Sequence, residues 1–489
     1  MITTRHFVTT LSLSLLFLPV WGQNDVENLI SALKAETPIE ENLQYLCDNI
    51  GGRVTGSDAN QASVDWALEK FKEAGVKAWK DPFEMPSLWL PKRTECRIKN
   101  RDISPLVVSK YNAPPGRYIS NLLYVGRGTA EELDKFDKDL LARSFILVET
   151  DLCLDIDGLF AEYSHATSVE IESSKRNVKG IVFMSSRPNK LLYRFVTSKT
   201  VDESRPQVVM AREDAQRLVR ILREGTPIEI ELDIAAQVGP SYISHNVIAE
   251  ITGTEFPDEV VIVGSHIDSW ALGTGANDNG CNVSLMIDIA RQMAKLNIKP
   301  KRTIRFALWN GEEQGYFGSW DYTNDHEASL EDHVMALSVD IGSGAITGFF
   351  TNGREELIPI LDKVLEPAMT LGSFEHLNIP IVGTDNFDFM LQGVPNLVGI
   401  HKPQVYGPTY HAASDTYDKV DLSQLKINSA IIGALTLGFA NMEKSDREKL
   451  QRHSRKQIQA MLNEQQLEFS MRMFNVWEPW VTKKRGRTD

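Results

Sequence analysis

The segment at residues 260–281, VVIVGSHIDSWALGTGANDNGC, constrains the fold of this chain more than any other part of the sequence. It opens with four β-branched residues in a row, a pattern typical of a buried strand. His266 and Asp268 follow at the end of that strand, and Asp278 lies in the glycine-containing loop beyond it. Functional groups of open α/β sheets collect at the carboxyl ends of the strands. This segment therefore predicts a strand that carries functional side chains at its end.

Strands and helices alternate on both sides of this segment. Predicted strands lie at 246–253, 303–310, 335–340 and 396–402, and predicted helices at 284–297, 356–369 and 427–442. This order predicts an α/β fold with a doubly wound, mostly parallel sheet. Residues from about 24 to 80 carry apolar side chains at helical spacing, which predicts a helical N-terminal part on the far side of the sheet.

The middle of the chain has a different pattern, in which short apolar runs alternate with polar loops and no catalytic cluster stands out. The runs lie at 122–125, 145–148, 180–184, 207–210 and 228–232, with a predicted helix at 211–225. This pattern predicts a small β-rich module inserted into the main domain. The expected organisation is a signal peptide (1–22), the N-terminal part of the main domain (23–100), the insertion (101–238), the rest of the main domain (239–443) and a helical, basic tail (444–489).

Length and charge limit the class of protein. A chain of 489 residues is too long for one ordinary core. The formal net charge of −14 argues against a nucleic-acid partner, because binding phosphates requires a basic face. Arg5, a short apolar run and the small or aliphatic Val20 and Gly22 at the cleavage-recognition positions predict a cleaved signal peptide. The sequence offers no other candidate for a membrane span, so we expect a secreted or periplasmic protein.

The cysteines, the tail and one glycine-rich loop are less informative. The four cysteines form no CxxC pair or zinc-finger spacing, and one or two disulfides are left open. Cys281 lies inside the opening segment and is expected to be a small buried residue. The polar tail from Ser445 predicts either a solvated appendage or a docking helix. The GGRVTGS loop at residues 51–57 is compatible with an anion site, although a tight connection is the simpler interpretation.

Acidic and histidine side chains follow the predicted strand ends, and six of them form one set: His266, Asp278, Glu312, Glu313, Asp340 and His411. Imidazole and carboxylate ligands suit zinc. Two zinc ions about 3.5–4 Å apart require a bridging carboxylate, and five ligands with one bridge give each ion three protein groups. The adjacent Glu312 and Glu313 can then divide two tasks, metal binding and proton transfer. Asp268 is suited to fix the tautomer of His266.

These motifs resemble the co-catalytic zinc exopeptidases, the family that includes carboxypeptidase Q. The similarity covers nearly the whole mature chain. It rests on GGRVTGS, NVIAEITG, VVIVGSHIDSW, GANDNG, KPKRTIRFALWNGEEQG, GTDNF, GVP and HAASDTYDKV. The resemblance implies that residues 239–443 form a metallopeptidase catalytic domain and that the inserted module is a protease-associated domain.

The resemblance also implies a role for each site residue. His266 and Asp340 look like ligands of one zinc ion, Glu313 and His411 like ligands of the other, Asp278 like the bridge, Glu312 like the general base and Asp268 like the partner of His266. Tyr410 is similar to a position that polarises the substrate carbonyl in some relatives, and Asp385 falls in a motif near the substrate pocket. Two positions depart from the family pattern, Cys281 in place of Ser or Gly and Ser-Val before Asp340, and neither removes a ligand.

The activity implied by the resemblance is hydrolysis of peptide bonds near a free N-terminus by a secreted enzyme with two zinc ions. A peptide or dipeptide is the expected substrate, with aminopeptidase and dipeptidase action both open and a homodimer left open. One alternative is a glutaminyl cyclase, which shares the fold and uses a single metal. Another is a non-catalytic receptor on the same scaffold, which the complete set of ligands disfavours.

Overall fold

The computed structural model describes residues 21–194, 204–403 and 406–489, and in this part of the chain fourteen strands form two seven-stranded sheets. The strands are β1 (Lys77–Met85), β2 (Leu88–Ile98), β3 (Val107–Ser109), β4 (Gly116–Tyr124), β5 (Ser144–Val148), β6 (Gly180–Met184), β7 (Gln207–Met210), β8 (Ile228–Gly239), β9 (Tyr242–Ile251), β10 (Phe256–His266), β11 (Arg302–Trp309), β12 (His333–Ser338), β13 (Ile346–Phe350) and β14 (Asn396–His401).

The helices of the described residues are α1 (Trp21–Lys34), α2 (Ile39–Tyr45), α3 (Asp58–Glu73), α4 (Ala130–Leu133), α5 (Lys138–Ala142), α6 (Ile156–Lys175), α7 (Arg212–Arg223), α8 (Cys281–Lys295), α9 (Phe317–Asp325), α10 (Ile358–Val364), α11 (Asn386–Leu391), α12 (Tyr406–Thr409), α13 (Leu422–Ala440), α14 (Lys444–Arg447), α15 (Arg455–Glu464), α16 (Glu468–Met473) and α17 (Trp477–Val481). Short 3₁₀ or π turns occur at Leu46–Ile50, Ala276–Gly280, Glu327–Asp332, Glu355–Leu357, Glu366–Ala368 and Tyr417–Lys419.

The first sheet has the strand order β1-β9-β11-β10-β12-β14-β13. Its central strands β11, β10, β12 and β14 run parallel, and β1, β9 and β13 pair antiparallel at the two edges. Helices α8 and α9 lie between consecutive parallel strands in the sequence, as a parallel pairing requires. The prediction of an α/β fold with a mostly parallel central sheet is confirmed.

Strand β10 is buried on both faces of the first sheet. Val261 and Val263 contact the large core that α1, α8 and α13 cover, whereas Val260 and Ile262 contact a second core with side chains of α9 and α11. A strand covered by helices on both faces is typical of parallel sheets, and it explains the unbroken β-branched run in the sequence. The end of the strand, where His266 lies, is therefore held by packing on both sides.

The second sheet has the order β2-β8-β4-β5-β6-β7-β3, with β4 to β7 parallel at its centre. Each apolar run predicted in the middle region overlaps one of its strands, although β4 begins six residues before its run and β8 ends seven residues after its run. The sheet also includes β2, which precedes the predicted boundary at residue 101, and it packs with α6, a 20-residue helix that the sequence pattern did not indicate. The protease-associated assignment and the domain boundaries stay predictions.

The predicted helical N-terminal part extends too far, because α3 ends at Glu73 and β1 begins at Lys77. Gly75 lies between them with φ +77°, a left-handed conformation that ends helices and that glycine adopts without strain. β1 then pairs with β9 at the edge of the first sheet. Most side chains of β1 are partly exposed, so the alternation that indicates a strand is weak in this segment.

The C-terminal tail packs on the main domain, which is the docking alternative of the two that the sequence left open. Met471, Val476 and Trp480 form a buried cluster with Phe387 and Leu391 of α11. Helices α15, α16 and α17 all contribute to this cluster. The tail is therefore part of the folded structure around α11.

A buried ion pair anchors the end of the tail. Arg485 donates from Nε and Nη2 to the two carboxylate oxygens of Asp388, at 2.6 and 2.7 Å, and both side chains are at most 2% exposed. Arg485→Met leaves this carboxylate buried without its cation, and we expect the free energy of unfolding to fall by about 3–5 kcal/mol. Urea denaturation followed by circular dichroism measures the change.

Two variants serve as controls for that stability prediction. Arg472→Met breaks an exposed pair with Glu468 on α16, and we expect it to cost at most about 1 kcal/mol. The double variant Arg485→Met/Asp388→Asn removes the uncompensated charge and should recover part of the lost stability. Equal stability losses in the Arg485 and Arg472 variants would contradict the anchoring role.

All four cysteines, Cys47, Cys96, Cys153 and Cys281, are buried and free, and Cys281 packs in the large core as expected. Within the described ranges, we find no helix long and apolar enough to cross a membrane. The predicted signal peptide at residues 1–22 lies outside the described residues, apart from its last two, which begin α1. Secretion stays a prediction.

Candidate metal centre

The predicted site residues meet at the carboxyl ends of the parallel strands in the first sheet. His266 is the last residue of β10, Glu312 and Glu313 follow β11, and Asp340 follows β12. His411 lies two residues after the end of α12. All of these residues are buried, and each is at most 8% exposed. These residues therefore lie at the edge of the sheet where α/β folds collect their functional groups, which is the position that the sequence predicted for them.

The carboxylates and imidazoles form two half-sites that share Asp278. In the first half-site, His266 Nε2 lies 2.8 Å from Asp340 Oδ1 and 3.2 Å from Asp278 Oδ1. In the second half-site, His411 Nε2 lies 2.8 Å from Glu313 Oε2 and 3.3 Å from Asp278 Oδ2. The two oxygens of Asp278 thus face different histidines, which is the arrangement that a bridging carboxylate requires.

The loop that carries Asp278 is held by a second acidic residue. The backbone N–H groups of Asn277 and Asp278 donate to the carboxylate oxygens of Asp415, at 2.8 and 3.1 Å. Asp415 is itself buried, and burial raises its pKa to about 7. These two hydrogen bonds fix the backbone at Asp278.

The donor set has room for a cation. Within the described part of the chain, the ion pairs that Asp278, Glu313 and Asp340 form are with His266 and His411. Glu313 Oε1 is buried and accepts no hydrogen bond from the described residues. One ligand atom each of His266, Asp278 and Glu313 lie within 4.8 Å of one another. A group of buried carboxylates with an unused oxygen fits the hard oxygen and imidazole ligands of a divalent metal.

Each histidine uses its other ring nitrogen to contact a main-chain carbonyl. Nδ1 of His266 donates to the carbonyl oxygen of Asp268 at 3.0 Å, and Nδ1 of His411 donates to the carbonyl oxygen of Arg194 at 3.1 Å. Both imidazoles therefore keep Nε2 directed at the carboxylates, which is the orientation that a metal ligand needs.

Asp268 supports the site through its backbone as well as its side chain. Its carboxylate lies 3.7 Å from His266 Nδ1, farther than its own carbonyl oxygen. The carboxylate instead accepts the hydroxyl of Thr55 at 2.9 Å and the backbone N–H groups of Glu312 and Glu313, both at 3.3 Å. Asp268 thus fixes the turn that presents the adjacent glutamates.

The electrostatics of the two half-sites favour positive charge. Burial alone would lower the pKa of both histidines. Asp340 instead raises the pKa of His266 well above its usual range, and Glu313 raises the pKa of His411 to about 9. Burial would raise the pKa of Asp278, but hydrogen bonds from both histidines hold it well below its usual range. The carboxylates hold protons on the imidazoles, and a bound metal cation would replace those protons.

Glu312 and Asp385 are buried acids whose pKa values lie above their usual range. Burial raises the pKa of Glu312 well above its usual range, and Asp340 and Asp385 reinforce the shift against the opposing effect of His266. Burial likewise raises the pKa of Asp385, with Asp340 adding to it. Asp385 lies behind the cleft, whereas the preceding Thr384 lines it.

Tyr410 lies flat against a predicted ligand. Its ring stacks on His411 with centroids 3.6 Å apart, and its hydroxyl lies 2.8 Å from the hydroxyl of Tyr163 on α6. Both tyrosines line a cleft that also contains Glu312 and Asp340. The second sheet's helix therefore contributes directly to the wall of the site.

Sequence reasoning missed an arginine that joins the N-terminal loop to the site. Arg53, inside GGRVTGS, is fully buried and donates to the carbonyl oxygens of Ile267, Thr274 and Gly275, at 2.6, 2.7 and 2.9 Å. The loop thus binds backbone carbonyls of the metal-site segment rather than an anion, and it acts as the tight connection that the sequence favoured. The sequence signal for this contact was a single arginine among the glycines of the GGRVTGS motif.

The part of the chain that carries the candidate metal and base residues matches a known protein family. Residues 246–436 match Peptidase family M28, and this range includes all six candidate metal and base residues. The chain contains a Peptidase family M28 domain. The predicted family resemblance and the prediction that the protein is a peptidase are confirmed.

Curated relatives extend the similarity beyond the M28 domain. Human (Homo sapiens) carboxypeptidase Q is 25% identical over 423 residues, which cover 85% of this chain and 88% of the relative. Carboxypeptidase Q from Rattus norvegicus is 31% identical over 238 residues, 49% of this chain and 50% of the relative.

Solved structures share the fold of the M28 domain and of the parts around it. A peptidase M28 precursor from Shewanella amazonensis has a TM-score of 0.78 at 24% identity and covers 86% of this chain and 97% of its own. A zinc aminopeptidase from Bacillus subtilis has a TM-score of 0.66 at 19% identity, with coverage of 84% and 97%. These likenesses show the same architecture.

Proposed function

We propose that this protein is a secreted metallo-exopeptidase with two zinc ions that hydrolyses peptide bonds near a free N-terminus. The observation that carries the proposal is Asp278, whose two oxygens face the two imidazoles of the separate half-sites at 3.2 and 3.3 Å. A single-metal site has no use for a carboxylate in that position, whereas a two-metal peptidase requires it.

The residues that would hold the metals follow from the half-sites. His266 and Asp340 would hold one zinc ion, Glu313 and His411 would hold the other, and Asp278 would contribute one carboxylate oxygen to each. Zinc ions bound there would act as Lewis acids on the substrate carbonyl and would lower the pKa of a water molecule. The name of the Bacillus subtilis aminopeptidase supports the choice of zinc, and so does the mixture of imidazole and carboxylate ligands.

Glu312 is the proposed general base and acid. It lines the cleft, and its Oε2 lies 4.0 Å from His266 Nε2, at the edge of the first half-site. Glu312 takes a proton from the attacking water and returns it to the amine that leaves, so one side chain serves both halves of the reaction. Asp268 holds the backbone of Glu312, and the hydroxyl of Tyr410 hydrogen-bonds the carbonyl oxygen of the substrate.

The enclosure of the cleft supports action at the end of a peptide. The walls of the cleft come from the M28 domain, from α6 and from the turn after α16. The end of an extended peptide enters such a space, whereas the middle of a folded chain does not. The names of the curated relatives, carboxypeptidase Q and a probable leucine aminopeptidase, are consistent with exopeptidase action. Asp385 lies behind Thr384, so any effect it has on substrate binding is transmitted through the part of the cleft wall that Thr384 forms.

The remaining parts of the proposal concern location and assembly. The signal peptide predicted at residues 1–22 supports a secreted or periplasmic location. The second sheet supports a protease-associated module, and association as a homodimer stays a prediction.

Metal analysis combined with a hydrolysis assay tests the proposed function. We expect about two zinc ions per purified chain, and release of amino acids from short peptides that have a free N-terminus. Blocking the N-terminus by acetylation should abolish the hydrolysis. One metal per chain together with cyclisation of N-terminal glutamine would instead identify a glutaminyl cyclase, and two metals without turnover of any peptide would indicate a receptor.

A further inference from the structure

The cleft has two chemically different walls. The part formed by the M28 strand ends carries the acidic residues, whereas the part formed by α6, the loop before α11 and the tail is largely apolar and aromatic. The apolar side comprises Leu159, Phe160 and Tyr163 of α6, Val382 of the loop before α11, and Met473 and Phe474 of the tail. The Lys110–Glu170 ion pair also lines the cleft, but its charges lie 2.6 Å apart and largely cancel. A substrate side chain that points away from the metal cluster meets apolar surface.

Phe474 occupies the junction between the three parts of the chain that build this wall. Its ring centroid lies 5.4 Å from that of Tyr163 on α6 and 6.1 Å from that of Tyr316 in the M28 domain. The backbone of Gly383 also packs against it, since a Cβ atom there would lie 3.3 Å from Phe474 Cζ. Gly383 has φ +129°, which favours glycine independently of this contact.

The turn that presents Phe474 is fixed in place. α16 ends at Met473, Asn475 adopts a left-handed conformation with φ 60°, and the backbone N–H of Val476 donates to the carbonyl of Met471 at 2.8 Å. Behind this turn lie the buried cluster around α11 and the ion pair of Arg485 described above. The aromatic ring therefore belongs to the preformed wall of the cleft.

We propose that Phe474, from the C-terminal tail, is a specificity-determining residue that selects peptides with a large apolar side chain next to the scissile bond. This inference rests on the proposed peptidase function. The half-buried ring and its aromatic neighbours offer apolar contact within the same cleft as Glu312 and the half-sites. A leucine side chain gains this contact on entering the cleft, and an alanine side chain is too short to gain all of it.

The experiment compares dipeptides in which the residue on either side of the scissile bond is Leu or Ala. Wild-type protein should show a higher kcat/KM for the Leu peptides. Phe474→Ala should reduce the Leu-to-Ala ratio of kcat/KM by roughly tenfold or more, since even one methylene group in an apolar pocket is worth 10–200-fold. The kcat/KM for the Ala peptides should stay within a few-fold of the wild-type value, and Phe474→Leu should restore most of the ratio.

Phe469→Ala is the matched control, because Phe469 lies on the same helix, α16, and is 42% exposed outside the cleft. We expect it to leave the ratio unchanged. Equal losses on all dipeptides, or an unchanged Leu-to-Ala ratio in Phe474→Ala, would overturn the role of Phe474 while the peptidase function stands. A wild-type protein that carries its metals and cleaves none of the dipeptides would overturn both proposals.

Discussion

Glu312→Gln lowers the turnover of peptide substrates by about 10²–10⁴-fold while leaving the bound metal nearly intact. The amide keeps the size of the side chain but cannot accept a proton from water. Glu312 is 4.0 Å from His266 Nε2 and lies outside the closest contacts of both half-sites, which is why metal content should survive. Steady-state kinetics together with metal analysis of the same preparation checks both parts of the prediction.

Glu313→Gln provides the matched control, since it makes the same chemical change in the adjacent residue. Glu313 Oε2 lies 2.8 Å from His411 Nε2, so its amide should weaken the second metal and reduce activity through metal loss. Excess zinc should rescue part of the Glu313→Gln activity and none of the Glu312→Gln activity. A Glu312→Gln protein within a few-fold of wild type would remove Glu312 from the role of base.

His411→Ala should selectively weaken the metal of the second half-site by at least 10–100-fold, the range that even changes outside the ligand set produce. The other metal would keep His266, Asp340 and the Oδ1 atom of Asp278, the oxygen that faces His266 rather than His411. Calorimetric titration of the apo-protein with zinc should then resolve one tight and one weakened site.

The alternative for His411 is a purely structural role, in which Asp415 accepts a hydrogen bond from its imidazole ring. The structure places Asp415 on the backbone N–H groups of Asn277 and Asp278, while Glu313 and Arg194 contact the two nitrogens of His411. His333→Ala is the matched control, because His333 is equally buried and lies outside the cleft. We expect it to cost stability and leave both metal affinities unchanged. Two unaltered sites in folded His411→Ala would refute the ligand role.

The strand ends of the first sheet could be predicted because their signals are local. The β-branched run before His266 requires burial on both faces, and the strand before Asp340 has the same apolar character. In a parallel sheet, residues that follow neighbouring strands converge at one edge without any knowledge of side-chain packing. This rule was sufficient to bring together His266, Glu313 and Asp340, although the roles of these residues stay predictions.

The contacts that complete the site could not be predicted, because they join segments far apart in the sequence. Arg53 binds carbonyls more than two hundred residues away, and its identity in the sequence says nothing about which carbonyls it meets. The position of Phe474 depends on how the tail docks on α11, which no periodicity in the tail specifies. The α6 helix was missed for a related reason, since its polar residues are partly buried against other parts of the chain and mask its apolar face.

The hydrogen bond between His411 and residue 194 has a consequence for how the sequence can change over time. The acceptor is a main-chain carbonyl, which every residue type possesses, and the backbone N–H of Arg194 returns the contact to the carbonyl of His411 at 2.9 Å. A substitution at position 194 can therefore preserve the contact, whereas an inserted or deleted residue nearby shifts the carbonyl and removes it. At position 194 the second half-site thus tolerates variation in the side chain and depends on a constant chain length around that position.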